Sequence, residues 1–244
     1  MHSVGIISQV RMGSTRLPGK VLLPAAGRPL LDYHVARLQA SGLPVLLATT
    51  TEPADDVLAD YATAHGLPCH RGSETDVLAR YHETAQRFGL DVVVRVTSDC
   101  PLIDGELIGR AVQRYLAANN PLLYYSNALE RSFPRGLDFE IFSAELLAET
   151  YAQATLPYER EHVTPYLRSN PATQGRVTLQ NEAWPGGDFS RFRITLDTPE
   201  DYEVIRALIE RCGAAELSTA ELLPVLEAHP EIMALNAHVE QKTT

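Results

Sequence analysis

The first half of the chain alternates short apolar runs with stretches of helical periodicity, and this alternation constrains the fold more than any other feature. We predict strands at residues 4–8, 44–49, 68–71 and 91–97, the last of which (DVVVRVT) is crowded with β-branched residues. We predict helices at residues 30–40, 55–65, 76–88 and 106–118. Such an alternation predicts an α/β fold whose largely parallel sheet is covered by helices on both faces.

Beyond residue 120 this rhythm gives way to a mixed pattern. We predict strands at residues 124–127, 137–142 and 191–196, and helices at residues 144–154, 199–211 and 218–238. The last helix is predicted to break near Pro224 and Pro230. The charges of the helix at residues 76–88 are typical of a solvated face. No repeat or long linker interrupts the 244 residues, so a single domain is predicted.

The charge balance and the cysteines narrow the class of protein. Asp and Glu number 31 against 21 Lys and Arg, a net charge of −10, which argues against nucleic acid or an anionic membrane as the main partner. No apolar run approaches the roughly 18 residues that span a bilayer, and the N-terminus lacks the charged region of a signal peptide. Three widely spaced cysteines favour a reducing, cytoplasmic location over a disulfide framework or a zinc site.

A basic loop at residues 11–20, RMGSTRLPGK, follows the first predicted strand. Gly13 and Gly19 let the backbone approach a ligand closely. Three side chains supply the positive charge that a triphosphate needs, and these are Arg11, Arg16 and Lys20. The spacing differs from that of a Walker A motif, and the residues alone leave a solvated basic turn as an equally good interpretation. Ligands of parallel sheets bind beyond the carboxyl ends of strands, where this loop lies.

Two aspartates that follow predicted strands are candidate metal ligands. Asp99 lies in TSDCPLID after residues 91–97, and Asp197 lies in LDTPEDY after residues 191–196. A carboxylate at such a position can hold Mg²⁺ against a phosphate. The alternative for both segments is a helix N-cap, but Asp104 and Thr198 fit that role better. Asp99 and Asp197 are therefore available to a metal.

Five motifs in this order resemble the cytidylyltransferases that activate sugar acids, which include the 3-deoxy-manno-octulosonate and acylneuraminate enzymes. The motifs are RMGSTRLPGK, RGSETDVLARY, RVTSDCPLI, REHVTPY and LDTPEDY, and the resemblance is strongest to the branch named for the spore coat polysaccharide biosynthesis protein SpsF. It implies a three-layer α/β/α nucleotide-diphospho-sugar transferase fold, GT-A-like and Rossmann-type, with a mixed, mostly parallel sheet. It also implies a CTP-dependent enzyme that transfers CMP to a small anionic acceptor, such as a sugar acid of surface polysaccharide biosynthesis, and releases pyrophosphate.

The resemblance further implies roles for individual residues. Asp99 and Asp197 would hold Mg²⁺ and act in catalysis together with Arg16 and Lys20. The implied contacts to CTP come from Arg11, Met12, Gly13, Ser14, Arg16, Lys20, Arg71, Ser73, Asp76 and Thr97. Residues 125–170 would form an insertion that binds the acceptor and makes the contact of a homodimer. The expected acceptor ligands are Arg135, Asp138, Glu140, Arg160, Glu161 and His162.

Two departures from the sialate branch disfavour a sialic acid acceptor. That branch often has Lys-Asn where this chain has Lys20-Val21, and its acidic residue after Asp197 is replaced here by Thr198. No general base stands out in the sequence, although His162 is a candidate.

Two other functions compete with a cytidylyltransferase. A glycosyltransferase of the same fold usually holds its metal with a D-x-D motif, which is lacking in the Ser98-Asp99-Cys100 segment. A non-catalytic nucleotide-binding protein predicts a degraded site, whereas this chain keeps its basic loop and both aspartates.

Overall fold

A seven-stranded sheet runs through the centre of the protein in the computed structural model, which describes residues 2–240. The strands of this sheet are β1 (Val4–Gln9), β4 (Val45–Thr50), β5 (Cys69–Gly72), β6 (Val92–Thr97), β7 (Leu123–Ser126), β8 (Glu140–Ser143) and β9 (Thr178–Asn181). A separate small hairpin pairs β2 (Pro24–Ala25) with β3 (Arg28–Pro29).

The helices fill the connections between these strands and the C-terminal part of the chain. They are α1 (Leu30–Gln39), α2 (Asp56–Ala64), α3 (Val77–Arg87), α4 (Gly105–Ala118), α5 (Ala144–Gln153), α6 (Pro157–His162), α7 (Pro165–Ser169), α8 (Pro199–Cys212), α9 (Thr219–Ala228) and α10 (Pro230–Met233). In the part of the chain that the structure describes, no helix has the length and apolar character needed to cross a bilayer.

The order of the strands is β5-β4-β1-β6-β8-β7-β9. The first four are mutually parallel, β8 is antiparallel to both of its neighbours, and β9 is parallel to β7. The chain order reverses at β1, which pairs with β4 on one side and with β6 on the other. Gln9 is the register partner of Thr97, so the loops after β1 and β6 start side by side. Such a reversal opens a crevice beyond the carboxyl ends of the two strands.

Helices cover both faces of the sheet. Successive residues of a strand point to opposite faces, and Ile6 and Ile7 of β1 accordingly belong to two different core clusters. The cluster around Ile6 includes side chains from α1, α4, α8 and α9, whereas the cluster around Ile7 includes side chains from α3, α5 and α7. The predicted three-layer α/β/α arrangement with a mixed, mostly parallel sheet is therefore confirmed.

The interpretation of α3 as a solvated charged face is wrong. This helix contacts α5 and α6 as well as the sheet, so most of its surface is covered. Even Arg80 and His82 are buried, alongside the apolar residues Leu78 and Tyr81. The alternating charges in its sequence do not reveal this burial, because the covering helices come from a distant part of the chain.

The predicted strand at residues 191–196 is also wrong. This segment forms only an isolated bridge, between Arg193 and Arg135. Its backbone runs beside the loop after β6, where the Leu196 N–H donates to the carbonyl of Asp99 at 2.8 Å. Asp197 therefore does not follow a strand, but this hydrogen bond still brings it next to Asp99.

Other departures from the prediction concern the second half of the chain. Strand β9 was not predicted because it is polar and its residues are mostly exposed at the sheet edge. The strand predicted at residues 137–142 begins only at Glu140, and the polar segment around residues 158–165 forms α6 and the start of α7. Pro224 lies within α9 without breaking it, since buried Leu222, Leu223 and Leu226 pack that helix on the core; the break falls at His229.

Candidate functional site

A cavity of about 290 Å³ lies at the reversal of the chain order, beyond the ends of β1 and β6. Its lining comes from the basic loop after β1, from the loop after β6, from α3 and α6, and from the segment before α8. The charged side chains that line it are four cations and three carboxylates, namely Arg11, Arg16, Lys20, Arg80, Asp99, Glu161 and Asp197. In a chain with a net charge of −10, this concentration of cations marks the cavity as a site for an anionic ligand.

The backbone of the basic loop is fixed by its own hydrogen bonds and by one buried carboxylate. The Met12 carbonyl accepts from the N–H groups of Ser14 at 2.9 Å and Gly19 at 3.0 Å. The Met12 N–H donates to Asp55 Oδ1 at 2.7 Å, and the Thr50 hydroxyl donates to the other oxygen of this carboxylate. Gly19 has a φ of 68°, a left-handed conformation that glycine adopts without strain. The loop thus holds a defined shape, and Lys20 follows directly after Gly19.

Lys20 joins the two candidate metal ligands. Its Nζ lies 3.1 Å from Asp99 Oδ2 and 2.9 Å from Asp197 Oδ1. Asp197 also accepts from Arg193 Nη2 at 2.9 Å and is ion-paired with Arg16, whose Nη2 lies 3.2 Å from Asp197 Oδ2. The structure therefore brings together the four residues predicted to act in catalysis, although two of them are 177 positions apart in the sequence.

The electrostatics keep the Lys20–Asp99 pair ionised. Burial by itself would raise the pKa of Asp99, but the Lys20 ammonium and the Thr97 hydroxyl lower that pKa to about 2. Burial would likewise lower the pKa of Lys20, but Asp99 and Asp197 raise it above its ordinary value. At neutral pH the cavity therefore contains a carboxylate whose charge is balanced by an ammonium group.

The geometry of these carboxylates fits a divalent cation bound together with a phosphate. Oxygens of Asp99 and Asp197 converge on one positive charge, the Lys20 Nζ. Within residues 2–240 no group of three or more His, Cys, Asp or Glu side chains could hold a metal by itself. Mg²⁺ is commonly bound through one or two carboxylates and the phosphates of a substrate, so two aspartates suffice.

A strained turn between α6 and α7 brings two further side chains, Glu161 and His162, to the cavity. Val163 is fully buried with φ 71° and ψ −54°, and the Thr164 N–H donates to the His162 carbonyl at 2.8 Å. This is a γ-turn, and a β-branched residue at such a φ is strained.

Contacts beneath this turn hold it in place. The Thr164 hydroxyl donates to Glu140 Oε1 at 2.6 Å, and Glu140 is ion-paired with Arg95.

Burial lowers the pKa of His162, so this imidazole is neutral at pH 7.

The structure divides the predicted site residues into two groups. Those that line the cavity are Arg11, Gly13, Ser14, Arg16, Lys20, Thr97, Asp99, Glu161, His162 and Asp197. Those that do not line it are Met12, Arg71, Ser73, Asp76, Arg135, Asp138, Glu140 and Arg160.

Several residues of the second group have structural contacts of their own. Asp76 caps α3 by accepting from the Ala79 N–H, and it is ion-paired with Arg160. Arg71 donates to the carbonyls of Thr50 and Glu52.

The predicted acceptor ligands near β8 also lie away from the cavity. Glu140 is buried and accepts from Tyr124 and Thr164 in addition to its ion pair with Arg95. Asp138 is ion-paired with Arg131. Arg135 lines a different, smaller cavity of about 210 Å³ beside the C-terminal segment.

Arg80 lines the cavity from α3 but was not among the predicted site residues. The signal that could have revealed it is its position: Val77, Arg80 and Thr84 follow one another at helical spacing on the apolar stripe of that helix. Gln9, Val10, Thr15, Val21 and Ser98 also line the cavity without having been predicted.

Comparison with known proteins identifies the family to which the chain belongs. A family model described as cytidylyltransferase matches residues 4–232. The chain is 35% identical to the spore coat polysaccharide biosynthesis protein SpsF of Bacillus subtilis, over 95% of this chain and 97% of that protein. It is 30% identical to the 3-deoxy-manno-octulosonate cytidylyltransferase of Yersinia enterocolitica, over 66% of each chain.

The solved structure of a cytidylyltransferase from Leptospira borgpetersenii superimposes with a TM-score of 0.87. It is 35% identical to this chain, and the match covers 100% of this chain and 99% of the other. The arrangement of sheet, helices and crevice is therefore that of the nucleotide-diphospho-sugar transferase fold, as the motifs implied.

Proposed function

The chain belongs to the cytidylyltransferase family of nucleotidyltransferases, and we propose that it transfers CMP from CTP to a small sugar acid and releases pyrophosphate. The observation that carries this proposal is the convergence of Asp99 and Asp197 on Lys20, at the end of a basic loop in a cavity that can hold an anion. Transfer of a nucleotidyl group needs positive charge around the phosphates and a held metal ion, and this cavity contains side chains suited to both.

In the proposed reaction an acceptor oxygen attacks the α-phosphorus of CTP in line. The bond from the α-phosphorus to the bridging oxygen of the β-phosphate breaks, and pyrophosphate leaves with the electron pair. Asp99 and Asp197 would hold a Mg²⁺ ion, which when bound neutralises charge on the reacting phosphate. Arg16 and Lys20 stabilise the negative charge that builds up on the pyrophosphate. The remaining contribution of the protein is to position the two substrates.

His162 is the proposed acceptor of the proton that the attacking hydroxyl loses. It is the only imidazole that lines the cavity among the described residues. Burial lowers its pKa, so its ring nitrogen is unprotonated at neutral pH and can accept a proton. Its neighbour Glu161 lines the same part of the cavity, which supports α6 as the side that meets the acceptor.

Several finer features belong to the same proposal. We assign acceptor binding and a homodimer contact to residues 125–170, where three large apolar side chains are exposed, namely Tyr151, Leu156 and Tyr158. Sedimentation analysis of the purified protein tests the dimer.

A cytoplasmic location is supported by the cysteines Cys69, Cys100 and Cys212, which are all free thiols. The sugar acid is supported by the name of the Yersinia relative.

The direct test is a measurement of pyrophosphate release from CTP and Mg²⁺ with a panel of sugar acids. We expect release with at least one 3-deoxy or nonulosonic sugar acid, and formation of the matching CMP-sugar. Formation of a free nucleoside diphosphate from a nucleotide sugar would instead indicate a glycosyltransferase. Binding of CTP in a calorimeter without turnover of any acceptor would indicate a non-catalytic nucleotide-binding protein.

A further inference from the structure

Arg80 is a buried cation for which the fold provides no anionic partner. The residue is 1% exposed and lies in the first turn of α3. Its Nη1 donates to the Ser73 carbonyl, and its Nε–H is buried without any hydrogen-bond acceptor. Within residues 2–240 it makes no ion pair at a distance of 4.0 Å or less. A buried charge without a partner is costly, so this arrangement needs an explanation.

The charged groups nearest to Arg80 do not neutralise it. Asp55 is occupied by the Met12 N–H and the Thr50 hydroxyl, and Glu74 is ion-paired with Arg11 at 3.4 Å. Burial lowers the pKa of Arg80 and the positive charge of Arg11 lowers it further, whereas Asp55 and Glu74 oppose this shift without cancelling it. A guanidinium group nevertheless remains protonated in proteins. Arg11 and Arg80 therefore both contribute positive charge to the cavity that they line.

The side chain of Arg80 is also given room to reach the cavity. Gly72 ends β5 directly above it, and a Cβ atom at that position would lie 3.3 Å from Arg80 Cγ and 3.0 Å from Glu83 Oε2. A larger residue there would press on the stem of the arginine. Arg80 then lines the cavity together with Gly13 and Thr97.

We propose that Arg80 is a ligand of the phosphate chain of the nucleotide, reaching it from α3 while the basic loop holds the same chain from residues 11–20. This inference rests on the proposed function, because it needs a nucleotide in the cavity. A phosphate fits better than the base or the ribose, because only a negatively charged group compensates a buried guanidinium beside a second arginine. The guanidinium group, whose Nε–H has no acceptor in the fold, supplies hydrogen-bond donors for phosphate oxygens.

Arg80→Met tests this proposal, because it removes the charge and the donors and keeps an unbranched stem. We expect inorganic pyrophosphate and CTP to bind about 10-fold to 100-fold more weakly in a calorimeter, with cytidine binding unchanged. The melting temperature of the ligand-free variant should equal or exceed that of the wild type, because an unpaired buried charge has been removed. Arg80→Lys should recover part of the pyrophosphate affinity, because it restores the charge without the Nε–H.

Arg37→Met is the matched control. Arg37 is also largely buried, but all three of its nitrogens donate to carbonyls, those of Ile103, Ala215 and Leu217, at 2.6 to 2.9 Å. This variant should melt at a lower temperature than the wild type and bind pyrophosphate normally. If Arg80→Met behaves in the same way, the role of Arg80 is structural and the proposal is wrong.

Two further outcomes separate this inference from the proposed function. The inference alone is overturned if the wild type forms a CMP-sugar but Arg80→Met binds pyrophosphate as tightly as the wild type does. It is also overturned if Arg80→Met loses as much affinity for cytidine as for pyrophosphate. A wild type that binds pyrophosphate through Arg80 but never transfers CMP overturns the proposed function and supports the phosphate contact.

Discussion

The two sides of the cavity contain residues with nearly the same φ angle but very different side chains. Residues 11–20, which we propose bind the nucleotide, form the nucleotide side, where Gly19 has a φ of 68°. Residues 161–164, which we propose lie at the acceptor, form the acceptor side, where Val163 has a φ of 71°. Glycine adopts this angle freely, whereas a strained non-glycine residue costs about 1–3 kcal/mol.

The difference shows two ways of giving a site its shape. The nucleotide side is shaped mainly by its local sequence, since glycine and backbone hydrogen bonds within the loop define the turn, and one distant residue, Asp55, accepts from the Met12 N–H. The acceptor side is shaped by tertiary contacts, since the Thr164 hydroxyl donates a hydrogen bond to Glu140, which is ion-paired with Arg95. We therefore expect substitutions on the two sides to affect different kinetic constants.

Asp99→Asn should have the largest effect, because it removes the charge of a proposed metal ligand that is ion-paired with Lys20. We expect turnover, measured as pyrophosphate release, to fall about 10³-fold. The affinity for CTP, measured by calorimetry, should change much less. Asp104→Asn is the control, because Asp104 caps α4 by accepting from the Leu107 N–H. Asparagine caps a helix about as well as aspartate, so that variant should keep its turnover and lose at most about 1 kcal/mol of stability, through weaker hydrogen bonds from Thr219. Full activity of Asp99→Asn would contradict the metal assignment.

Lys20→Met should lower turnover about 100-fold and weaken CTP binding, because it removes a charge-assisted contact to the phosphates. The KM for the acceptor should stay within about 3-fold of the wild-type value, if the two sides act separately. Steady-state kinetics with each substrate varied in turn would measure this. Arg28→Met, at a half-exposed arginine outside the cavity, is the control. An equal rise in both KM values would mean that the two sides are not independent.

Lys20 should also determine how the free energy of unfolding changes at acidic pH. The folded pKa of Asp99 is about 2, below the unfolded value of about 3.9, so its contribution to stability is present above pH 4. It is lost as the pH falls from 4 towards 2, and it amounts to roughly 2 kcal/mol. In Lys20→Met burial would raise the pKa of Asp99, and this contribution should disappear. Urea unfolding of the wild type and of Lys20→Met between pH 2 and pH 6 would measure this difference. The same pH dependence of the free energy of unfolding in both proteins would mean that the pair contributes nothing.

Thr164→Val should raise the KM for the acceptor about 10-fold and leave CTP affinity unchanged, because the strained turn loses its hydrogen bond to Glu140. Kinetics with varied acceptor would measure the change. Thr173→Val is the matched control, because the buried Thr173 hydroxyl donates only to the carbonyls of Tyr166 and Asn170. Both variants should lose stability, by about 1 kcal/mol, but only Thr164→Val should change the acceptor KM.

Gly19→Ala should have the smallest effect and should act only on the nucleotide side. An alanine at this φ costs about 1 kcal/mol, and its Cβ would lie 3.3 Å from the Met12 side chain. We expect CTP affinity to fall about 5-fold, measured by calorimetry, with the acceptor KM unchanged. Gly66→Ala, at a φ of 65° with open space around it, is the control for the strain alone.

The same comparison explains what could be predicted from the sequence. The parallel strands and the basic loop were predictable because their signals are local: apolar runs, and glycines beside basic residues. The proximity of Asp99 and Asp197 was predicted from the family motifs, while the strand predicted before Asp197 was wrong, since extended backbone does not require a sheet partner.

Burial and strain in the second half of the chain could not be predicted in this way. Whether Arg80 is buried depends on α5 and α6, which lie more than 60 residues later. The conformation of Val163 depends on Glu140 and Arg95, which belong to the sheet. None of these contacts leaves a local pattern in the sequence, and the role of Arg80 became visible only from its surroundings.

The wide sequence separation between Lys20 and Asp197 has a consequence for the order in which a ribosome would complete the protein. The strands from β1 to β6 and the basic loop are synthesised within the first 100 residues, but the second carboxylate follows almost 100 residues later. Asp197 is in turn held by Arg193, whose partner Asp201 accepts from Asn236. A nascent chain that has emerged only to residue 190 would thus contain all seven strands of the sheet but an unfinished cavity, so activity would report that synthesis had reached the C-terminal helices.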